Sequence, residues 1–275
     1  MNKKIDTKML FADLNLFSGN FDRLLSSIDD TSSNTFSTKL VMTPNSEQIV
    51  LAENSPRFEK TLHTADIAIA DSTGIFLASW LLSLVGKMQP VAMRLPGVEV
   101  VSRLLHQAKE EEKQVIVIGG RSYNNKSYAG WQVRVVTTVS DIILRPTEHT
   151  LWWLPAYEDA TAPTEKEESL VQAVLAKLKP TYAFVALGAP VQEEWLVSYR
   201  ELLTKARVTA AMAVGGAFDM LLGVVPRAPK LLQAVGLEWL FRLILQPWRW
   251  RRQTQLVTFI MLVIREIFSP ARQVR

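Results

Sequence analysis

Short apolar runs alternate with amphipathic stretches along most of this chain. Residues 39–45 (KLVMTPN), 66–71 (DIAIAD), 114–120 (QVIVIGG), 131–141 (WQVRVVTTVSD), 182–190 (YAFVALGAP) and 208–218 (VTAAMAVGGAF) read as strands. Between them, residues 46–65 read as one or two helices broken near Pro56, and 73–86 as an apolar helix. Residues 96–113 place Val98, Val101, Leu104, Leu105 and Ala108 on one helical face. Residues 168–180 and 191–206 complete the helical set. Strands of four to seven residues alternating with longer helices predict βαβ units and an α/β fold with a mainly parallel sheet. The unbroken runs IAIA, VIVIG, AFVALG and AMAVGG suit strands buried on both faces, so helices should cover the sheet on either side.

In such sheets ligands bind outside the carboxyl ends of the strands. Five predicted strands end in small or polar residues: VMTPN, IAIADSTG, VIVIGG, FVALGAPVQEEW and MAVGGAFD. Their convergence predicts a cleft. Two readings stand for Asp71: it caps the next helix, worth about 1 kcal/mol, or it faces a substrate hydroxyl as a base. Thr43 and Asn45 either shape a proline turn or hydrogen-bond a polar ligand. Arg94, in the turn RLPG, is a solvated charge or a diphosphate partner at a helix N-terminus. Gly119 and Gly120 let a backbone approach a phosphate or ribose. Gln192 and Glu193 sit at a strand-to-helix junction, where an amide can read a sugar or base edge and acids favour the helix dipole.

Composition narrows the classes. The 275 residues contain no cysteine, which excludes disulfides, thiolate metal sites and a cysteine nucleophile, and the three histidines are scattered, so no metal site is expected. The N-terminal segment lacks an apolar core of signal-peptide length, and the longest late apolar run, LVTFIMLVI, has about half the ~18–20 residues of a spanning helix. A cytoplasmic protein is expected. From Pro226 onward nine cations face two carboxylates, a net +7 in a chain of +4, leaving −3 on the body. A basic, aromatic tail on a near-neutral body implies a polyanionic partner. Arg249, Arg251 and Arg252, interleaved with Trp248 and Trp250, suit an anionic membrane surface. Nucleic acid fits less well: the body is acidic and the aromatic-basic run lies beside long aliphatic stretches. The simpler reading of the tail is a helical pair packed on the domain.

The ordered motifs TPNSEQIVLA, ADIAIADSTGI, RLPGVEVV, VIGG, FVALGAPVQEEW and AVGGAFDMLLGVVPRAPKLLQAVGLEWLFRLILQPWRWRR resemble the WecG/TagA/CpsF glycosyltransferases, glycosyltransferase family 26, over residues 40–253. Residues 1–38, polar and Ser/Thr-rich, read as a lead-in with one weak helix, and the resemblance implies a Rossmann-like catalytic domain, placed at 39–225, followed by a helical, basic, membrane-associating appendage of 226–275. It implies an inverting, metal-independent transfer of N-acetylmannosamine or a related sugar. The donor would be a UDP-sugar and the acceptor a polyprenyl-diphosphate-linked sugar, with no cofactor, at the cytoplasmic face of the membrane. Such transfers serve teichoic acid or exopolysaccharide synthesis. Asp71 matches the aspartate proposed as general base. Thr43, Asn45 and Gln192 match pocket positions, and Arg94 an arginine near the diphosphate. Arg227, Arg242, Arg249, Arg251 and Arg252 match appendage cations that reach the UDP or lipid phosphates. The family's usual D-G-x-G is here Asp71-Ser72-Thr73-Gly74. The rival without catalysis is a Rossmann-like module that binds anionic membrane through its tail. A homo-oligomer is left open.

Overall fold

The computed structural model describes residues 11, 13–30, 32, 35–143, 149–229, 231–232, 238–245, 247 and 250–269, except the side chains of 242 and 251–253. Eight strands form one sheet: β1 (Lys39–Met42), β2 (Ile67–Ala68), β3 (Val115–Gly119), β4 (Ser127–Tyr128), β5 (Trp131–Val135), β6 (Thr150–Leu154), β7 (Tyr182–Ala186) and β8 (Ala210–Ala213). Their order is β2-β1-β8-β7-β3-β6-β5-β4, and every pair is parallel except β4 with β5. The mainly parallel α/β sheet is thus present.

Alternation along the strands divides the core. Val115, Val117, Tyr182, Phe184, Ala210 and Met212 face one layer, which holds α1 (Phe21–Asp29), α5 (Gly97–Glu110) and α9 (Ala217–Leu221). Ile116, Ile118, Ala183, Val185, Ala211 and Ala213 face the other, with α6 (Glu165–Leu178), α7 (Val191–Ser198) and α8 (Arg200–Lys205). Successive strand side chains point to opposite faces, so a strand sunk between two helical layers must be apolar at every position. A third cluster gathers α2 (Ser46–Asn54), α3 (Pro56–His63) and α4 (Thr73–Leu84) under the β1–β2 edge.

Pro56 opens α3 and Ser55 caps it, which breaks the 46–65 segment into two helices at the proline. The 191–206 segment also divides, at Tyr199. β6, with the sequence TLWWL, was not foreseen, although it lies between β3 and β5 and is buried throughout. The strand expected over 66–71 pairs formally only at Ile67 and Ala68, because β2 is the sheet edge; Ile69 N–H still donates to Met42 O at 3.0 Å.

Both flanking segments enter the core. Phe11, Leu14 and Leu16 are buried, and Leu16 bridges Ala68 as a parallel partner beyond β2. After α10 (Glu238–Leu245) comes a long helix, α11 (Trp250–Phe268), which packs on α2 and α4 and buries Phe259 and Val263. The rings of Phe11 and Phe259 meet edge to face, 5.8 Å between centroids, and Phe11 N–H donates to Glu266 Oε1 at 3.0 Å. Among the described residues, no helix is long and apolar enough to cross a membrane.

Candidate functional site

A parallel sheet brings the turns after β1, β2, β3, β7 and β8 to one edge. The connections leaving the neighbours β3 and β7 run to opposite sides of the sheet, toward β4–β6 and toward β8, and sheets of this kind bind ligands outside the carboxyl edge at such a switch point. The five polar strand ends therefore share one rim.

Asp71 does not cap α4. Ser72 does, its hydroxyl accepting from Ile75 N–H at 3.3 Å. Asp71 instead accepts the backbone N–H of Gly97, the first residue of α5, at 2.6 Å on Oδ1. Its carboxylate is thus aimed across the sheet edge toward another helix N-terminus, where negative charge is favoured. The carbonyl of Ala70 accepts from Leu95 N–H at 3.0 Å, holding the RLPG turn beside it. From that turn the Arg94 guanidinium donates to Thr73 Oγ1 at 3.1 Å. A Cβ placed on Gly97 would stand 3.5 Å from both Asp71 Oδ1 and Thr43 Cγ2, so Thr43 lines the same spot. Arg227, the first tail cation, pairs with Glu99 in the first turn of α5 at 3.0 Å. Asp71, Thr43, Arg94 and Arg227 thus gather around one helix start.

A second group stands behind the first. Asn45 caps α2 in a reciprocal box: its Oδ1 accepts Gln48 N–H at 3.1 Å, and Gln48 Oε1 accepts Asn45 N–H at 2.9 Å. Gln48 Nε2 donates to Glu193 Oε1 at 2.7 Å, and Gln192 Nε2 donates to the same oxygen at 2.7 Å. Gln192 Oε1 in turn accepts Gly215 N–H at 3.1 Å. One buried chain of hydrogen bonds therefore ties the ends of β1, β7 and β8, and Thr43 Oγ1 adds a bond to Ala213 O at 3.3 Å. Gln192 and Glu193 are almost wholly buried, so both act as ties between turns in this arrangement. Burial raises the Glu193 carboxyl to about 7, against the lowering effect of its bonds from Gln192 and Gln48. Its Oε2 has no hydrogen-bond partner among the described residues.

Gly119 and Gly120 stand where close packing leaves no space for a side chain. Both have positive φ, +79° and +87°, and a Cβ on either would lie 2.4 Å from Leu187 Cδ2 or Tyr123 OH. Tyr123 fills that space and donates to Asp219 Oδ1 at 2.8 Å, while Arg121 approaches Asp219 Oδ2 at 3.3 Å. Burial, with the Asp219 carboxylate next, pushes the Tyr123 phenol well above its ordinary range. Gln48, Glu99, Tyr123 and Asp219 were not anticipated. Asp219 had the available signal, an acid in the turn after a buried strand, as for Asp71. Arg249 lies outside the described residues; Arg242 sits on α10, and Arg251 and Arg252 on α11, with side chains outside them.

The family model described as "Glycosyl transferase WecG/TagA/CpsF family" matches residues 10–273, which takes in both the lead-in and the tail. A Bacillus subtilis (strain 168) protein named N-acetylglucosaminyldiphosphoundecaprenol N-acetyl-beta-D-mannosaminyltransferase is 29% identical over 227 residues, 82% of this chain and 79% of its own length. Proteins of the same name from Bacillus spizizenii (strain ATCC 23059 / NRRL B-14472 / W23) and Staphylococcus aureus (strain NCTC 8325 / PS 47) are 29% and 25% identical. These cover 84% and 77% of this chain, and 81% and 73% of their own lengths. With a match over nearly its whole length, the chain belongs to the WecG/TagA/CpsF glycosyltransferase family.

Proposed function

We propose that this protein is an inverting glycosyltransferase that moves N-acetylmannosamine, or a closely related sugar, from a UDP-sugar onto a polyprenyl-diphosphate-linked sugar. The acceptor class follows the names of its relatives, whose acceptor is N-acetylglucosaminyldiphosphoundecaprenol. The product would feed cell-surface polymer assembly, such as teichoic acid, at the cytoplasmic face of the membrane. The observation that carries the reading is the placement of Asp71 against Gly97, with Thr43, Arg94 and Arg227 around it.

Each residue has a task in that chemistry. Asp71 takes the proton of the acceptor hydroxyl as its oxygen attacks the anomeric carbon from the face opposite the departing UDP. A single attack of this kind inverts the anomeric centre and needs one base. The Gly97 N–H fixes one carboxylate oxygen, so the base is aimed before the acceptor arrives. Negative charge grows on the diphosphate as the glycosidic bond breaks. Arg94 and Arg227 are the cations at hand to neutralise it, and the reading therefore requires no metal. Thr43 lines the site beside Gly97, while Asn45 and Gln192 hold the turns behind it.

The test is a panel of UDP-sugars incubated with polyprenyl-diphosphate-N-acetylglucosamine. Transfer from UDP-N-acetylmannosamine with an inverted anomeric product is expected. Loss of activity on exhaustive chelation, or a product of retained configuration, would overturn the mechanism.

A further inference from the structure

Exposed apolar side chains are concentrated in one part of this molecule. Among the described residues, fifteen of the eighteen large hydrophobics that are well exposed lie on α4 and its end, α10 or α11. Scattered surface leucines need no explanation; a contiguous patch does.

On α4, Leu77, Trp80, Leu81 and Leu84 are 41–65% exposed at spacings of three and four, which makes one outward stripe. The opposite side of the same helix buries Ile75, Ala78 and Leu82. α11 repeats the arrangement. Phe259 and Val263 are buried, while Val257, Ile260, Met261 and Ile264 are 48–59% exposed. The two helices run side by side in the same direction. Near its start, α4 meets α11 at Gly74, where an added Cβ would lie 3.7 Å from the Phe259 ring. Past its end, Lys87 Nζ donates to the carbonyls of Glu266 and Ser269 at the end of α11. Two parallel helices lying on one core, each with an outward apolar stripe, form a slab.

Charge identifies the occupant. Residues 72–98 contain no carboxylate and two cations, Lys87 and Arg94. Residues 239–265 contain no carboxylate and five arginines. A slab that is apolar outward, bordered by tryptophans such as Trp80 and Trp250, and free of acids across both segments complements an anionic bilayer surface. A buried interface between protein copies would not call for that exclusion of acids.

We propose that α4 and α11 together form the membrane-seating face, so that the catalytic body itself, not a separable tail, lies on anionic lipid. The proposal rests on the glycosyltransferase reading in one respect. The residue preceding the α4 cap is Asp71, which sets the base beside the surface from which a lipid-linked acceptor comes.

The test uses the full-length protein with vesicles of phosphatidylcholine alone or with phosphatidylglycerol. Leu81→Glu/Leu84→Glu and Ile260→Glu/Ile264→Glu alter only exposed positions, so unchanged circular dichroism and melting are expected. Each pair should weaken sedimentation with phosphatidylglycerol vesicles by at least tenfold. Each should slow transfer onto vesicle-embedded acceptor while leaving transfer onto a short-chain, water-soluble acceptor unchanged. Wild-type binding with an unaffected α4 variant would overturn the slab and leave the membrane reading standing. A wild type that binds neither vesicle would overturn both, without touching the glycosyl transfer measured on the soluble acceptor. A wild-type dimer made monomeric by the α4 pair, at constant vesicle binding, would assign the face to a second copy and overturn the proposal.

Discussion

The backbone N–H of Gly97 reaches Asp71 Oδ1 at 2.6 Å, a contact that sets this aspartate apart from the cap of α4. A capping acid would be spent on its own helix; this one is held by another, with its cap duty taken by Ser72. Asn at position 71 keeps an oxygen for Gly97 but cannot take a proton. Asp71→Asn is therefore expected to fold normally, to bind UDP with near wild-type affinity, and to lose about 10²–10⁴-fold in kcat. Isothermal titration with UDP and a single-turnover assay check both halves.

Arg227 pairs with Glu99 at a partly exposed position, where such pairs are worth about 0–1 kcal/mol. Arg227→Ala should leave the melting temperature almost unchanged. If Arg227 neutralises the leaving diphosphate, kcat falls by about 10²–10³-fold, as for loss of one charge-stabilising donor. Melting curves and steady-state kinetics on the same sample separate the two effects.

Glu193 makes stability depend on pH. Its carboxyl holds its proton up to about 7 in the fold, against 4.5 when free, chiefly because it is buried. The folded state therefore binds the extra proton between those values. The stabilisation is full below 4.5 and is lost as pH rises through 7, on the order of 3 kcal/mol in all. Glu193→Gln keeps an oxygen for Gln48 and Gln192 but cannot titrate. Its unfolding free energy, compared with wild type in urea from pH 5 to 8, should lack that decline.

Phe259 is a core residue although it belongs to the basic tail. Phe259→Ala should cost about 3–5 kcal/mol. Deletion of 226–275 should then give an unstable protein, not a soluble catalytic body without its anchor. Thermal denaturation of the point variant, set beside the expression and solubility of the deletion, tests this.

Most of the sheet was legible in the sequence because buried parallel strands are apolar at every position, and the runs around Val117, Phe184 and Met212 stand out. The same rule applied to Leu151–Leu154. That strand escaped because its two tryptophans fall in a region otherwise rich in turn residues and charge, outside the motifs shared with the family. The shared edge of the polar strand ends was legible, since parallel pairing forces them to one side. What stayed hidden depends on single-residue offsets and on distant partners. Asp71 and Ser72 are both good caps, and only the backbone angles at Ser72 choose between them. Nothing local to Gln192 announces that Gly215, Glu193 and, through it, Gln48 consume its amide and bury it. The glycines after β3 are expected to let a backbone approach a phosphate or ribose; that Leu187 and Tyr123 stand where a Cβ would be depends on partners that the local sequence does not show.

The edge-to-face meeting of Phe11 and Phe259, with Glu266 receiving the N–H of Phe11, joins parts of the chain some 250 residues apart. During synthesis Phe11 stays without these partners until the segment that carries Phe259 and Glu266 has been made. The cluster under the β1–β2 edge closes only when α11 arrives. The helix that closes it also completes the outward apolar slab, so a chain without α11 carries only the α4 stripe of that face. Closure of this part of the core and assembly of that apolar face become the same event.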